Sequence, residues 1–197
     1  MAISASEVKK LRDRTGLGMM DCKKALEEAG GDSAKAEDLL RKQGLKAAEM
    51  RVGRAASEGV VGSYIHTNNK IGVIAEINCE TDFAAGSADF KALVKDICMQ
   101  IAATSPKYVA PEAVLPEEIA REKEIIAVQC EGKPAHVVEK IVAGKLKDFY
   151  KQVCLLEQPF IKDTAKTVGE LVKGLNAKLG ENIVVRRFVR YEVGEEG

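Results

Sequence analysis

The chain has 197 residues, 46% hydrophobic and 30% charged, the texture of an ordinary soluble globular protein with room for one large domain or two small ones. Its 30 Lys and Arg balance 30 Asp and Glu, and aromatics make up only 5% with no Trp, so neither a polyanion-seeking field nor a base-stacking platform is expected, and direct nucleic-acid binding is not expected either. No run approaches 18 apolar residues and no apolar leader opens the chain, which points away from membranes; five cysteines without CxxC pairs fit reduced thiols in a cytoplasmic protein.

The first fifty residues read as three short helices. Ser4 to Glu7 forms a capping box, in which the Ser4 hydroxyl takes one free N–H and Glu7 reaches back to another. Val8 and Leu11 follow on one face, and Thr15-Gly16 ends the helix. Met19, Cys22, Leu26 and Ala29 keep spacings of three and four, which predicts a second helix stopped by Gly30-Gly31. Asp32 suits the cap of a third, with Ala36, Leu39 and Leu40 as its apolar face and Gly44 just past its end. Three helices in so short a segment enclose little core, so residues 1–50 are read as a docking domain rather than a container for chemistry.

Lys46 to Gly59 is a charged, alanine-rich connector, expected to be partly helical. The texture then changes to strands. Val60–His66 is strand-like, "TNNK" signals a turn, and Ile71–Cys79 alternates, with Ile71, Val73, Ala75, Ile77 and Cys79 on one face and Glu76 and Asn78 on the other. Phe90, Leu93, Val94, Ile97 and Ile101 mark an amphipathic helix ending before Ser105-Pro106. A stretch punctuated by Pro106, Pro111 and Pro116 leads into a polar helix over roughly Glu117–Cys130. Lys133-Pro134 opens a longer one carrying Val138, Ile141, Val142, Leu146, Phe149 and Val153. "LLEQPFIKDTAK" reads as a loop with exposed Phe160 and Ile161. Val168, Leu171, Val172, Leu175 and Leu179 define a last helix closed by Gly180, and "NIVVRRFVRYEV" is a final strand. The fold class is α+β: a small three-helix N-terminal domain, and a core over 51–197 with a three-stranded antiparallel sheet and flanking helices. Three strands leave two open edges, and pairing with a second copy would cover them.

The chemistry that the chain omits narrows its class. There is no GxxxxGK(S/T) phosphate loop, no GxGxxG after a strand and no GxSxG elbow, and His66 and His136 lack ligand spacing, so no cofactor, no metal and no enzymatic activity are expected. Cys22 beside Lys23 and Lys24 could be an activated thiol, but a small residue on a buried helix face is the stronger reading. Two stretches look made for contact. In "TGLGMMDCKK", spacing leans toward the core for Met19 and away from it for Met20, although methionine also suits adaptable binding surfaces. In "CETDF", Asp82 could cap the following helix with Phe83 stapled onto it. Ser87 is an equally good cap, which would leave Asp82-Phe83 on a projecting tip, and pattern alone does not choose.

"LRDRTGLGMMDCKKAL" (Leu11–Leu26) and "INCETDF" (Ile77–Phe83) closely resemble the two signatures of bacterial elongation factor Ts, and the likeness continues through "EQPFIKDTAKTVGEL" and "GENIVVRRF". The resemblance implies a guanine-nucleotide exchange factor for elongation factor Tu, with a ubiquitin-associated-like three-helix domain and a core that docks on Tu. It implies that Thr81, Asp82 and Phe83 insert beside the nucleotide site, Phe83 as the wedge and Asp82 helping to displace groups that hold Mg²⁺ and phosphate. Arg12, Met19, Met20 and Lys23 fall on family positions of the GTPase-domain contact, and His66, Ile161, Leu179 and Gly180 on further contact positions in the core. Longer members carry two related core halves and this chain has room for one, so the resemblance implies a homodimer and a 2:2 assembly with Tu. Ala84 stands where many members have Val, and Leu17 where a small residue is usual. The alternative from another class is a non-catalytic helical binding adaptor.

Overall fold

The computed structural model describes residues 3–51, 53–130 and 134–195. They form two compact units: Met1–Val60 with Asn78–Lys91 and Val172–Val184, and Val61–Ile77 with Ala92–Leu171 and Val185–Gly197.

The first unit begins with three helices, α1 (Ala5–Thr15), α2 (Met19–Glu28) and α3 (Ser33–Glu49). The capping box at the start of α1 is formed: Ser4 N donates to Glu7 Oε2 at 2.8 Å and Glu7 N to Ser4 Oγ at 3.3 Å. Gly16 ends the helix in the left-handed region at φ 71°, where a Cβ would be strained. Asp32 Oδ1 accepts from Ala34 N and Lys35 N and so caps α3. Val8, Leu11, Cys22, Ala25, Leu26, Ala36 and Leu40 make the small core, with Ile3, Leu17 and Ala29 packed partly buried against it.

Two expectations fail here. Met19, expected toward the core, is 47% exposed; Met20 is 64% exposed, in line with its spacing. Leu17, just before the Gly18 cap, packs on the bundle core, and the first turn of α2 is left facing out. Gly44 does not end α3, which runs on to Glu49. A Cβ on Gly44 would sit 3.1 Å from the Ala177 Cβ, so this glycine serves a close approach to a second helix, α8 (Val168–Leu179).

The second unit holds most of an antiparallel sheet ordered β1-β2-β5, from β1 (Glu58–Ile65), β2 (Ile71–Cys79) and β5 (Val184–Glu192). His66 N donates to Ile71 O across the turn between β1 and β2, where Asn69 takes φ 56°. The alternation read from β2 holds: Val73, Ala75, Ile77 and Cys79 are buried and Ile71 half-buried. This face packs toward α5 (Ala88–Thr104), whose Phe90, Leu93, Val94, Ile97, Cys98 and Ile101 are buried. The opposite face carries Val61, Ile65, Ile74, Val189 and Tyr191 exposed, together with the ion pair of Arg187 Nε to Glu76 Oε2 at 2.7 Å.

α6 (Pro116–Val128) and α7 (Ala135–Val153) pack together as a helical hairpin. Val138, Ile141, Val142, Leu146, Phe149 and Val153 line α7 at helical spacing and are all half-buried. The segment expected to be a loop after α7 contains a two-stranded hairpin, β3 (Pro159–Phe160) with β4 (Asp163–Thr167), and Phe160 is buried rather than exposed. The cause is Gln100, wholly buried on α5. Its Nε2 donates to Pro159 O at 3.2 Å and its Oε1 accepts from Ile161 N at 2.8 Å, pinning the backbone on both sides of Phe160. Ile161 remains exposed, as expected. Among the described residues no helix is long and apolar enough to cross a membrane.

Candidate partner-docking site

The Thr81-Asp82-Phe83 segment sits at the end of β2. It is not an open loop: Thr81 is the N-cap of a single helical turn, α4 (Asp82–Gly86), with its Oγ1 accepting from Ala84 N at 3.2 Å. The caps read from sequence therefore divide. Ser87 caps α5, accepting from Phe90 N at 3.2 Å, and among the described residues Asp82 accepts no capping bond. Phe83 is not stapled to its own helix; it is 88% exposed, the most exposed large apolar side chain of the described residues. Ala84 and Ala85, the next two residues, are buried and fasten the turn to the unit below.

The base of this turn is held from an unexpected direction. Glu181 Oε2 accepts from Glu80 N at 2.9 Å and from Thr81 N at 3.1 Å, while its Oε1 accepts from the Thr81 hydroxyl at 2.8 Å. Glu80 returns the arrangement: its Oε1 accepts from Asn182 N at 2.7 Å, and its Oε2 lies 3.6 Å from Arg54 Nη1. Asn182, itself buried, donates from Nδ2 to Arg54 O at 2.8 Å, and Asn78 Nδ2 donates to Ala56 O at 3.1 Å. Beneath them Cys79 Sγ donates to Thr81 O; burial pushes this thiol up, and the Glu181 carboxylate adds to the effect. None of Glu80, Glu181 or Asn182 was singled out by sequence. The available signal was two polar residues placed directly after the left-handed Gly180 that ends α8.

The same unit contains the other exposed contact stretch. Arg12, Met19, Met20 and Lys23 are all exposed, and Lys23 Nζ lies 3.8 Å from Glu27 on the same helix. Cys22 among them is wholly buried, with its Sγ 3.7 Å from Thr15 Oγ1, which is the position of a packing residue and not of an accessible nucleophile. Leu17, where the likeness departs, contributes to packing. Leu179 is half-buried and Gly180 exposed, also within this unit. Lys178 passes over Gly16, where a Cβ would lie 2.6 Å from its Cε, and ends 2.9 Å from Asp89 Oδ2. His66 and Ile161 belong to the second unit. There the His66 ring is half-buried and its Nδ1 lies 3.1 Å from the Tyr64 hydroxyl.

These two segments of the first unit offer a firmly based aromatic with an adjacent carboxylate, and a set of exposed methionines and cations. Those are groups for docking on a macromolecule. Among the described residues no group of three or more His, Cys, Asp or Glu side chains is placed to hold a metal ion.

Comparison with known proteins agrees over almost the full chain. A family profile described as "Elongation factor TS" matches residues 19–195. The "Elongation factor Ts" of Desulforamulus reducens is 60% identical over 195 residues, covering 98% of this chain and 90% of that protein. The protein of the same name from Moorella thermoacetica is also 60% identical, over 98% of this chain and 96% of its own. That of Coprothermobacter proteolyticus is 57% identical over 197 residues and covers 100% of its own length. With identity at this level sustained from end to end, the chain belongs to the elongation factor Ts family.

Proposed function

We propose that this translation elongation factor binds elongation factor Tu in its GDP form and promotes GDP release, acting by binding and not by bond-making chemistry. The observation that carries the reading is Phe83, 88% exposed at the head of a turn whose base is tied by several hydrogen bonds. An apolar ring held in water on so firm a base is suited to a pocket on another protein. Phe83 is the wedge that enters the GTPase domain beside the nucleotide. Asp82 carries the negative charge that disturbs the groups holding Mg²⁺ and phosphate. Arg12, Met19, Met20 and Lys23, on a ubiquitin-associated-like domain of residues 1–50, grip the same GTPase domain, and His66, Ile161, Leu179 and Gly180 of the core extend the contact.

Exchange then follows from linkage. A factor that binds empty Tu more tightly than GDP-bound Tu weakens GDP by the same factor, about tenfold for each ~1.4 kcal/mol of difference. Equal affinity for both forms would shift nothing. The wedge supplies the difference, because its pocket is available only when the nucleotide site is distorted.

The factor works as a homodimer in a 2:2 assembly with Tu. The apolar sheet face of Val61, Ile65, Ile74, Val189 and Tyr191 supports this reading, as do β1 and β5 as outer strands. Release of a fluorescent GDP from Tu tests the function directly. Acceleration by added protein is expected, and binding without acceleration would leave a non-catalytic adaptor instead.

A further inference from the structure

We propose that Glu181 is a positioning residue for exchange, keeping the turn Asp82–Gly86 wound and Phe83 aimed outward. The inference rests on the exchange reading above and extends it to a carboxylate 100 residues from Thr81 along the chain.

A turn of five residues cannot sustain itself, because helix nucleation costs more than its few internal bonds return. Phe83, exposed as it is, contributes no packing of its own, and Ala84 and Ala85 offer only small contacts below. The remaining hold is polar. A threonine hydroxyl has one proton and two lone pairs. Here the proton goes to Glu181 Oε1 at 2.8 Å, which turns a lone pair toward Ala84 N at 3.2 Å. Glu181 therefore orients the cap as well as touching it. Its other oxygen takes the N–H groups of Glu80 and Thr81, and both bonds are strengthened by the carboxylate charge. One side chain thus fixes the backbone entering the turn and the hydroxyl that closes it.

The substitutions separate these roles. Glu181→Ala removes all three bonds. In Glu181→Gln the amide oxygen still accepts from both backbone N–H groups, and the amide nitrogen donates to the Thr81 hydroxyl, which keeps a lone pair for Ala84. Thr81→Val removes the hydroxyl and retains the shape.

The test uses the whole protein and stopped-flow release of fluorescent GDP from Tu over a range of factor concentrations, with amide hydrogen exchange at Ala84 in the factor alone. Glu181→Ala is expected to lower the saturating release rate about tenfold or more while the half-saturating concentration moves less than about twofold. Glu181→Gln should recover most of the rate. Glu181→Ala and Thr81→Val should be non-additive when combined, as expected for partners in one network. The Ala84 amide should exchange at least about tenfold faster in Glu181→Ala with the thermal midpoint nearly unchanged. If Glu181→Ala does not fold, Thr81→Val decides by the same two readouts. An unchanged rate, a matching loss in half-saturation, or a Gln variant as poor as Ala would overturn the proposal. An active wild type with Ala84 protection unchanged in Glu181→Ala would also overturn it while sparing the exchange reading. A wild type that fails to release GDP would overturn the exchange reading and with it the role of Glu181 in exchange, whatever Ala84 shows.

Discussion

Gly62 on β1 lies so close to Val94 of α5 that a Cβ placed on it would fall 2.2 Å from the Val94 Cγ1, with the Cys98 Sγ 3.3 Å away. The sheet and the helix meet here without room for a methyl group. Gly62→Ala should destabilise the protein by about 1–3 kcal/mol, the usual range for overpacking. Thermal unfolding with Val94→Ala in the same chain checks the cause: the double variant should recover part of the loss, because the two sites share one contact.

Phe83→Ala should leave folding stability within about 0.5 kcal/mol of the parent, since the side chain is almost fully exposed. The same change should slow GDP release from Tu more than it weakens docking, because most of the proposed contact area lies on other residues. Rate and affinity measured across one concentration series separate the two effects, and equal losses would sink the wedge.

The exposed sheet face makes a distinct prediction. Ile74→Asp places a charge in the middle of Val61, Ile65 and Val189, beside Glu76, where burial against a second copy would require desolvating it. Sedimentation should show the parent as a dimer and the variant shifted toward monomer. A monomeric parent at micromolar concentration would remove the dimer from the proposal.

Burial pushes the thiols of Cys98 and Cys154 up to about 11. Both should therefore resist alkylation in the native protein at pH 8, where the reactive thiolate is scarce, and react on unfolding. The sign for stability follows from the same shift. A folded pKa above the unfolded one means that the folded state holds its proton longer. This contribution is complete below the ordinary thiol pKa and is lost as pH rises toward about 11. Denaturant midpoints measured from pH 8 upward should fall, and Cys98→Ala should flatten that fall.

Local devices were legible from sequence because their parts lie a few residues apart. The Ser4–Glu7 box, the Asp32 cap and the alternation of Ile71–Cys79 each close within one turn or one strand. Legibility was lost where a distant partner decided the outcome. Gly44 looks like a helix stop until Ala177 is brought against it. Phe160 looks like a loop aromatic until Gln100, some sixty residues earlier, brackets its backbone. Met19 keeps core spacing, but Leu17 occupies the packing position. At Thr81-Asp82-Phe83 the residue types were visible and their support was not, because Glu181 belongs to the far end of the chain.

That separation has a consequence for the timing of synthesis. The bonds of Glu80 and Thr81 to Glu181 and Asn182 span 100 to 102 residues. A ribosome makes the helical bundle and the turn Asp82–Gly86 first, and at ordinary elongation speeds Glu181 follows about 5–20 s later. Throughout that interval the nascent chain carries Phe83 with no latch behind it. The turn that carries Phe83 is therefore without these bonds until Glu181 and Asn182 have themselves been made.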